Sequence, residues 1–182
     1  MKVSDSVPSS NARLTYVIAA VWLALHLPFL APSLEDIDSI NFALGLHHFD
    51  PGLHQPHPPG YPVFIATGRI ALALIHLLAS GRAYTRADAL ALAIWSAIGG
   101  TVAIVAAGVL FREMTSDEAE AGETGLCGAA IVAATPLFWL TGLRPMSDML
   151  GLGLALAGSA TQQVVRAAEC PVLTVRGVPP LM

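Results

Sequence analysis

Residues 33–62, SLEDIDSINFALGLHHFDPGLHQPHPPGYP, form a polar interruption between two long apolar segments. Three acids, Glu35, Asp36 and Asp38, open this stretch. A proline-rich turn closes it, and neither the stretch nor the apolar segment before it contains Lys or Arg. Four histidines lie between the acids and the last prolines: His47, His48, His54 and His57. The pattern predicts an acidic, His-rich loop that emerges from a membrane segment.

The composition is that of a membrane protein. Of 182 residues, 54% are hydrophobic and only 12% are charged, with a mean hydropathy of +0.64, whereas soluble domains carry about 25% charged residues. Several apolar runs approach the ~20 residues that cross ~30 Å of hydrocarbon. We therefore predict an all-α, polytopic membrane helix bundle. The absence of a basic patch argues against a nucleic-acid partner, and two isolated cysteines indicate neither a disulfide framework nor a metal site.

Five apolar segments define the expected bundle. Four are predicted to be full spans: 14–32, 89–111, 125–143 and 149–165. The fifth, 63–79, carries Arg69 and His76 on one helical face, and a charge inside a membrane costs about 2.5–3.5 kcal/mol on insertion scales. Arg69 should therefore face protein, water or headgroups, and the segment is either a full crossing or a juxtamembrane or re-entrant helix. Residues 112–124 are predicted to be an acidic loop. Gly99 and Gly100 are predicted to permit close packing of helices.

Within the loop, residues 38–49 are predicted to form an amphipathic helix. Its expected apolar face, at i, i+3, i+4 and i+7 spacing, is Ile40, Ala43, Leu44 and His47. Either Asp36 or Asp38 can cap the helix N-terminus, where carboxylates are favoured. We expect Asp38 to be the cap, which leaves Asp36 for chemistry.

The order of three motifs resembles the GT-C class of lipid-linked sugar transferases, and most closely the dolichyl-phosphate-mannose protein mannosyltransferase-like group. An acidic motif after the first span is matched by Glu35–Asp38. A His-Pro-Pro turn leading into a juxtamembrane helix is matched by His57–Pro62. A later Arg…Asp pair at the outer end of a span is matched by Arg144 and Asp148. The resemblance covers residues 14–165 and implies that 1–165 are the N-terminal part of such a transmembrane domain, with 33–62 as its extracytoplasmic loop.

The resemblance implies transfer of a sugar from a polyprenyl-phosphate donor to an acceptor of unknown identity. An acceptor hydroxyl is a poor nucleophile, so a carboxylate is needed to take its proton. Asp36, then Asp38, are the expected bases. An Arg or a divalent cation can neutralise the departing phosphate, which leaves a divalent cation as an open cofactor. The expected substrate-binding residues are Glu35, His57, Arg69, Arg144 and Asp148. The histidines are not expected to form a metal centre, since prolines separate them and no cysteine lies near.

Two topologies are compatible with the sequence. If 63–79 crosses fully, the positive-inside rule is satisfied, but Asp148 and Asp36 lie on opposite faces. If 63–79 stays on the outer side, as in the resembling class, both lie outside. We expect the second arrangement, with a cytoplasmic N-terminus, and the resemblance implies a bacterial inner membrane. The tail, 166–182, has no periodicity, and two interpretations stay open: a genuine short tail, or a truncation or frameshift.

Two other functions fit the composition. A small transporter or channel subunit would line a path with Arg69 and His76. A non-catalytic membrane scaffold would tolerate neutral replacements of Asp36 and Asp38.

Overall fold

The computed structural model describes residues 10–78 and 86–167 of the chain. This part is all-helical and has no β-strands, which confirms the predicted fold class. Two 3₁₀ turns, Leu27–Phe29 and Pro51–Leu53, accompany its α-helices. The α-helices are α1 (Ser10–His26), α2 (Ile37–His47), α3 (Pro62–Leu78), α4 (Ala87–Met114), α5 (Glu118–Ala134), α6 (Pro136–Leu143) and α7 (Asp148–Ala167).

The central helix is α4, which packs against α1, α3, α5, α6 and α7. At one end of the bundle, α1 and α6 finish and α4 and α7 begin. There the Ala31 amide donates to the Leu143 carbonyl (2.9 Å), and the Ser96 hydroxyl donates to the Met146 carbonyl (2.6 Å). We call this the loop end. The connection between α4 and α5 lies at the opposite end, close to the start of α1.

Among the described residues, fewer helices qualify as candidate spans than expected. Ser10–Phe29 and Ala87–Met114 are long and apolar enough to cross a membrane, and α5 and α6 pass the same test only as a pair bent by 62°. α7 has the length, but polar residues such as Gln162 and Gln163 lower its hydropathy, and it is not a candidate. The described residues therefore hold two candidate spans, or three if the bent pair is one span. The prediction of four full spans is not confirmed.

A proline explains the break in the predicted span 125–143. Pro136 has no backbone N–H and cannot continue the hydrogen-bond ladder of α5. The indole N–H of Trp139 donates to the Ala133 carbonyl near the break. Such side-chain donors are what make a break tolerable at membrane depth, where backbone groups have no water to bind.

The predicted acidic loop 112–124 is mostly helical. α4 continues to Met114 and α5 begins at Glu118, where Asp117 caps it by accepting from the Ala119 amide (2.8 Å). Carboxylates at a helix start are stabilised by the helix dipole, so the same acids that indicated a loop favour a helix N-terminus. The predicted tail is 166–182, and its residues from 168 onward lie outside the described part of the chain.

Small residues allow α4 and α7 to touch backbone to backbone. A Cβ atom on Gly99 would lie 2.5 Å from the Leu150 Cα, and one on Gly153 would lie 2.5 Å from the Gly99 carbonyl oxygen. A Cβ atom on Gly100 would meet the ring of Trp22, so that glycine is needed there as well. The predicted close packing at Gly99 and Gly100 is confirmed. This contact holds the start of α7 against α4 at the loop end.

α2 and α3 lie at the loop end beside the first turns of α4. The rings of Phe42 and Phe64 meet edge to face, with centroids 5.1 Å apart. A Cβ on Gly68 would touch the side chains of Leu46 and Leu92, which places the middle of α3 at the second turn of α4. α3 has 17 residues and is not a candidate span. The juxtamembrane or re-entrant placement of this segment stays a prediction.

The buried face of α2 overlaps only partly with the predicted one: Ala43 is buried as expected, but His47 is exposed. Phe42 and Leu46 are buried, whereas the expected Ile40 and Leu44 are 45% and 44% exposed. The helix has two apolar faces, and sequence periodicity alone does not say which one meets α3. The face that carries the aromatic ring of Phe42 packs inward.

Candidate functional site

Asp36 caps the N-terminus of α2. Its Oδ1 accepts a hydrogen bond from the Ser39 amide (2.8 Å), and the Ser39 hydroxyl lies 3.3 Å from the Asp36 amide nitrogen, so that the two residues form a capping box. The expectation that Asp38 would be the cap is wrong. Asp36 stands one residue before Ile37, the first helical residue, which is the cap position, whereas Asp38 already lies in the first turn.

The second carboxylate oxygen of Asp36 faces Arg144. Arg144 Nη2 donates to Asp36 Oδ2 at 2.9 Å, and the two side chains are 50% and 27% exposed, respectively. The turn that carries Arg144 is fixed by the bond between Ser96 and Met146. The acidic motif and the Arg144–Asp148 motif, more than a hundred residues apart in sequence, thus meet at the loop end.

Asp38 lies next to His57. Its Oδ1 is 3.6 Å from His57 Nδ1, slightly beyond hydrogen-bond distance. The imidazole packs against the rings of Phe42 and Tyr61, with centroids 5.7 and 5.2 Å away. Nδ1 is buried and has no hydrogen-bond partner in the described structure. We call Asp36, Asp38, His57 and Arg144 the loop-end cluster.

Arg69 does not join this cluster. Its Nε donates to the Leu46 carbonyl (2.8 Å) and its Nη2 to the Gly45 carbonyl (3.0 Å). These carbonyls belong to the last turn of α2, which has no helical partners for them and carries the negative end of the helix dipole. Arg69 therefore binds the end of α2 opposite to Asp36, about 15 Å away at 1.5 Å per residue.

Glu35 and Asp148 are both exposed at the loop end. Glu35 accepts from the Ser33 hydroxyl (3.2 Å). Asp148 is the first residue of α7, two residues after Met146, and no ion pair forms with it among the described residues. Both carboxylates are accessible to a ligand at the same end of the bundle as Arg144.

The other histidines are scattered. His47 Nε2 lies 3.0 Å from Asp88 Oδ2, which joins the end of α2 to the start of α4. His48 lies 4.0 Å from Asp50, and His54 is exposed. No group of three or more His, Cys, Asp or Glu side chains that could hold a metal ion occurs among the described residues. The contacts of Ser96 and Asp88 were not predicted, since each depends on the folded arrangement of distant segments. The contact of Ser39 with Asp36 is local, and the capping-box spacing in the sequence could have indicated it.

A polar cavity of about 630 Å³ lies at the opposite end of the bundle. Its lining includes Asn11, Arg112 and Glu113, and it is separate from the loop-end cluster. The loop-end cluster instead lies at the surface of the bundle end, where the side chains of Asp38 and Arg144 are 45% and 50% exposed.

Fold and cluster together define a membrane helix bundle with acid, imidazole and guanidinium groups at one end, a set suited to group transfer. Residues 51–145 match the family model "Protein O-mannosyl-transferase TMEM260 N-terminal domain". The match covers just over half of the chain, which belongs to this family, and the expected likeness to mannosyltransferases is confirmed. It includes His57, Arg69 and Arg144 and begins after Asp36 and Asp38. No curated protein and no solved structure matches the chain. The apolar helices and the family together indicate an integral membrane protein.

Proposed function

We propose that residues 1–165 are the N-terminal part of a GT-C-type membrane glycosyltransferase. It would move mannose from a polyprenyl-phosphate donor to a protein hydroxyl on the extracytoplasmic face of a bacterial inner membrane. The family supports the sugar and the acceptor class. The observation that carries the proposal is the 2.9 Å ion pair between Asp36 and Arg144. It brings the acidic loop, 33–62, and the Arg144–Asp148 motif to one end of the bundle, as a shared site on one membrane face requires.

The reaction requires removal of the acceptor proton and, at the same time, stabilisation of the negative charge on the leaving phosphate. The acceptor oxygen loses its proton and bonds to the sugar C1, while the bond from C1 to the phosphate oxygen breaks and its electron pair leaves with the lipid phosphate. A guanidinium stabilises that developing negative charge. Arg144 is half exposed and uses one donor on Asp36, so its other N–H groups remain for the donor phosphate.

The carboxylate that serves the proton transfer is Asp38 rather than Asp36. Both oxygens of Asp36 are engaged, one by the Ser39 amide and one by Arg144. Asp36 therefore orients the guanidinium and starts α2. Asp38 is 45% exposed and lies beside His57. Glu35 and Asp148 are proposed to contact the acceptor, because they are exposed at the same end.

Arg69 receives a different role from the substrate contact predicted for it. Its two hydrogen bonds to the last turn of α2 hold that helix, and hence the acids at its start, against α3. A path lined by Arg69 and His76, as a transporter would need, is not favoured by a guanidinium engaged in this way.

The test is transfer of radiolabelled mannose from a mannosyl-phosphoryl-polyprenol to a Ser/Thr-rich acceptor protein in membranes that contain the full chain. Arg144→Gln and Asp38→Asn should each lower the rate by about 10²-fold or more, the usual contribution of a charge-stabilising or proton-transfer group. Arg112→Gln, at the opposite end, is the matched control and should transfer like the wild type.

Two results would overturn the proposal. Wild-type membranes that transfer no more mannose than membranes lacking the chain would exclude catalysis by this chain. Loss of transfer in Arg112→Gln to the same degree as in Arg144→Gln, at equal protein levels, would mean that the loop end has no special role.

A further inference from the structure

The loop that carries His57 lies beside the start of α2 and is closed by a tight turn. The Gly60 amide donates to the His57 carbonyl (2.9 Å), which closes the turn. Gly60 has φ +92°, and a Cβ there would meet the Pro51 side chain at 2.9 Å, so only glycine fits. Since the ring also packs against Phe42 and Tyr61, the position of the imidazole is set before any substrate arrives.

The two nitrogens of this imidazole have different surroundings. Nδ1 is buried, without a hydrogen bond, and points to Asp38 at 3.6 Å. Nε2 has no hydrogen bond among the described residues either, but unlike Nδ1 it is not fully buried, and 26% of the side chain is exposed, so solvent reaches Nε2. A neutral imidazole has one N–H and one lone pair. A carboxylate beside Nδ1 favours the tautomer with the proton on Nδ1, which leaves the Nε2 lone pair free.

We propose that His57 and Asp38 act as a carboxylate–imidazole base, in which Nε2 of His57 takes the proton of the acceptor hydroxyl. This inference rests on the proposed glycosyl transfer and replaces direct proton transfer to a carboxylate. The acceptor O–H bond breaks and its proton moves to Nε2. The oxygen bonds to the sugar C1, and the bond from C1 to the phosphate oxygen breaks with its electron pair on the phosphate. Asp38 stays ionised and stabilises the imidazolium, as the acid does in serine-protease-type triads.

The arrangement separates two tasks within one turn of α2. Asp36 pairs with Arg144, which in the proposed reaction stabilises the departing phosphate, and Asp38 lies beside His57, which in the proposed reaction takes the acceptor proton. The 3.6 Å gap between Asp38 and His57 fits this role, because catalytic hydrogen bonds are often long without substrate and shorten in the reacting complex.

Four variants test the pair in the mannose-transfer assay. His57→Phe keeps the packing against Phe42 and Tyr61 but has no nitrogen, and His57→Gln keeps polarity but has no basic lone pair. Each should lower kcat by about 10²- to 10⁴-fold, with the KM for the lipid donor within about twofold. The double variant Asp38→Asn/His57→Gln should be no slower than the slower single variant, since groups that act as a unit are not additive. His57→Ala should regain part of its rate when imidazole is added.

His54→Asn is the control. His54 lies three residues away in the same loop with φ +59°, a conformation that Asn tolerates, and this variant should transfer like the wild type. If His57→Phe transfers normally while Asp38→Asn does not, Asp38 is the base and His57 only packs. The inference then fails, although the proposed function stands. If wild-type membranes transfer no mannose, the proposed function itself fails and the inference with it.

Discussion

Replacing Gly99 with alanine should separate α4 from α7. A Cβ at this position would lie 2.5 Å from the Leu150 Cα and 2.5 Å from the Met149 carbonyl carbon, whereas carbon atoms pack at about 3.5–4.0 Å. Both obstacles are backbone atoms, which cannot rotate away, so the helices must move apart by about 1 Å. Overpacking of this kind costs about 3 kcal/mol at the upper end of the usual range. The higher helix propensity of alanine returns about 1 kcal/mol, which leaves a net loss of about 2 kcal/mol.

Gly151 provides the matched control, because nothing lies within 4 Å of a Cβ placed there. Gly151→Ala should therefore be neutral or stabilising by up to about 1 kcal/mol. Thermal unfolding in detergent can measure the difference. At about 2–4 °C per kcal/mol for a chain of this size, Gly99→Ala should unfold about 4–8 °C below the wild type. Equal melting temperatures for Gly99→Ala and Gly151→Ala would refute the account of how α7 is held in place.

Three further predictions concern single side chains. Asp36→Ala should lower the free energy of unfolding by about 1 kcal/mol through loss of the helix cap, whereas Asp36→Asn should not, because Asn is also a good cap. Chemical unfolding of both variants measures the difference, and equal losses of stability would contradict the capping role. Arg69→Leu should speed amide hydrogen exchange in α2 by about tenfold, the effect of losing about 1.4 kcal/mol of charged hydrogen bonds, and unchanged exchange would argue against its helix-holding role. Trp139→Phe, which leaves the Ala133 carbonyl without its indole donor, should cost about 1–3 kcal/mol, and a melting temperature equal to that of the wild type would contradict the assignment.

The order of the helices could be predicted, since long apolar runs and their polar interruptions follow directly from bilayer thickness. The residues at which the helices begin and end could not be predicted. The acids before Gly125 indicated a loop, yet carboxylates also favour the first turn of a helix, and α5 begins among them at Glu118. The break at Pro136 was missed because proline is tolerated in some membrane helices.

The loop-end cluster was foreseen as a set of motifs, but its internal contacts were not. The resemblance led us to expect the acidic loop and Arg144 on one face, and the ion pair with Asp36 agrees with that expectation. The partner of Arg69 could not be read from the sequence, because the carbonyls of Gly45 and Leu46 approach it only after α2 folds onto α3. The contact between His57 and Asp38 could not be read from the sequence either, because the turn at Gly60 brings the two side chains together only in the folded loop.

The most direct test of the central claim asks whether the acidic loop and the start of α7 lie on one membrane face. Leu53→Cys, Asp148→Cys and Ser116→Cys would each be made in a chain with Cys127 and Cys170 replaced by serine, and labelled in intact cells with a membrane-impermeant maleimide. The account predicts labelling at 53 and 148 and protection at 116, at the opposite end of the bundle. Labelling at 53 with protection at 148 would contradict it, since Asp36 and Arg144 could not then form one site.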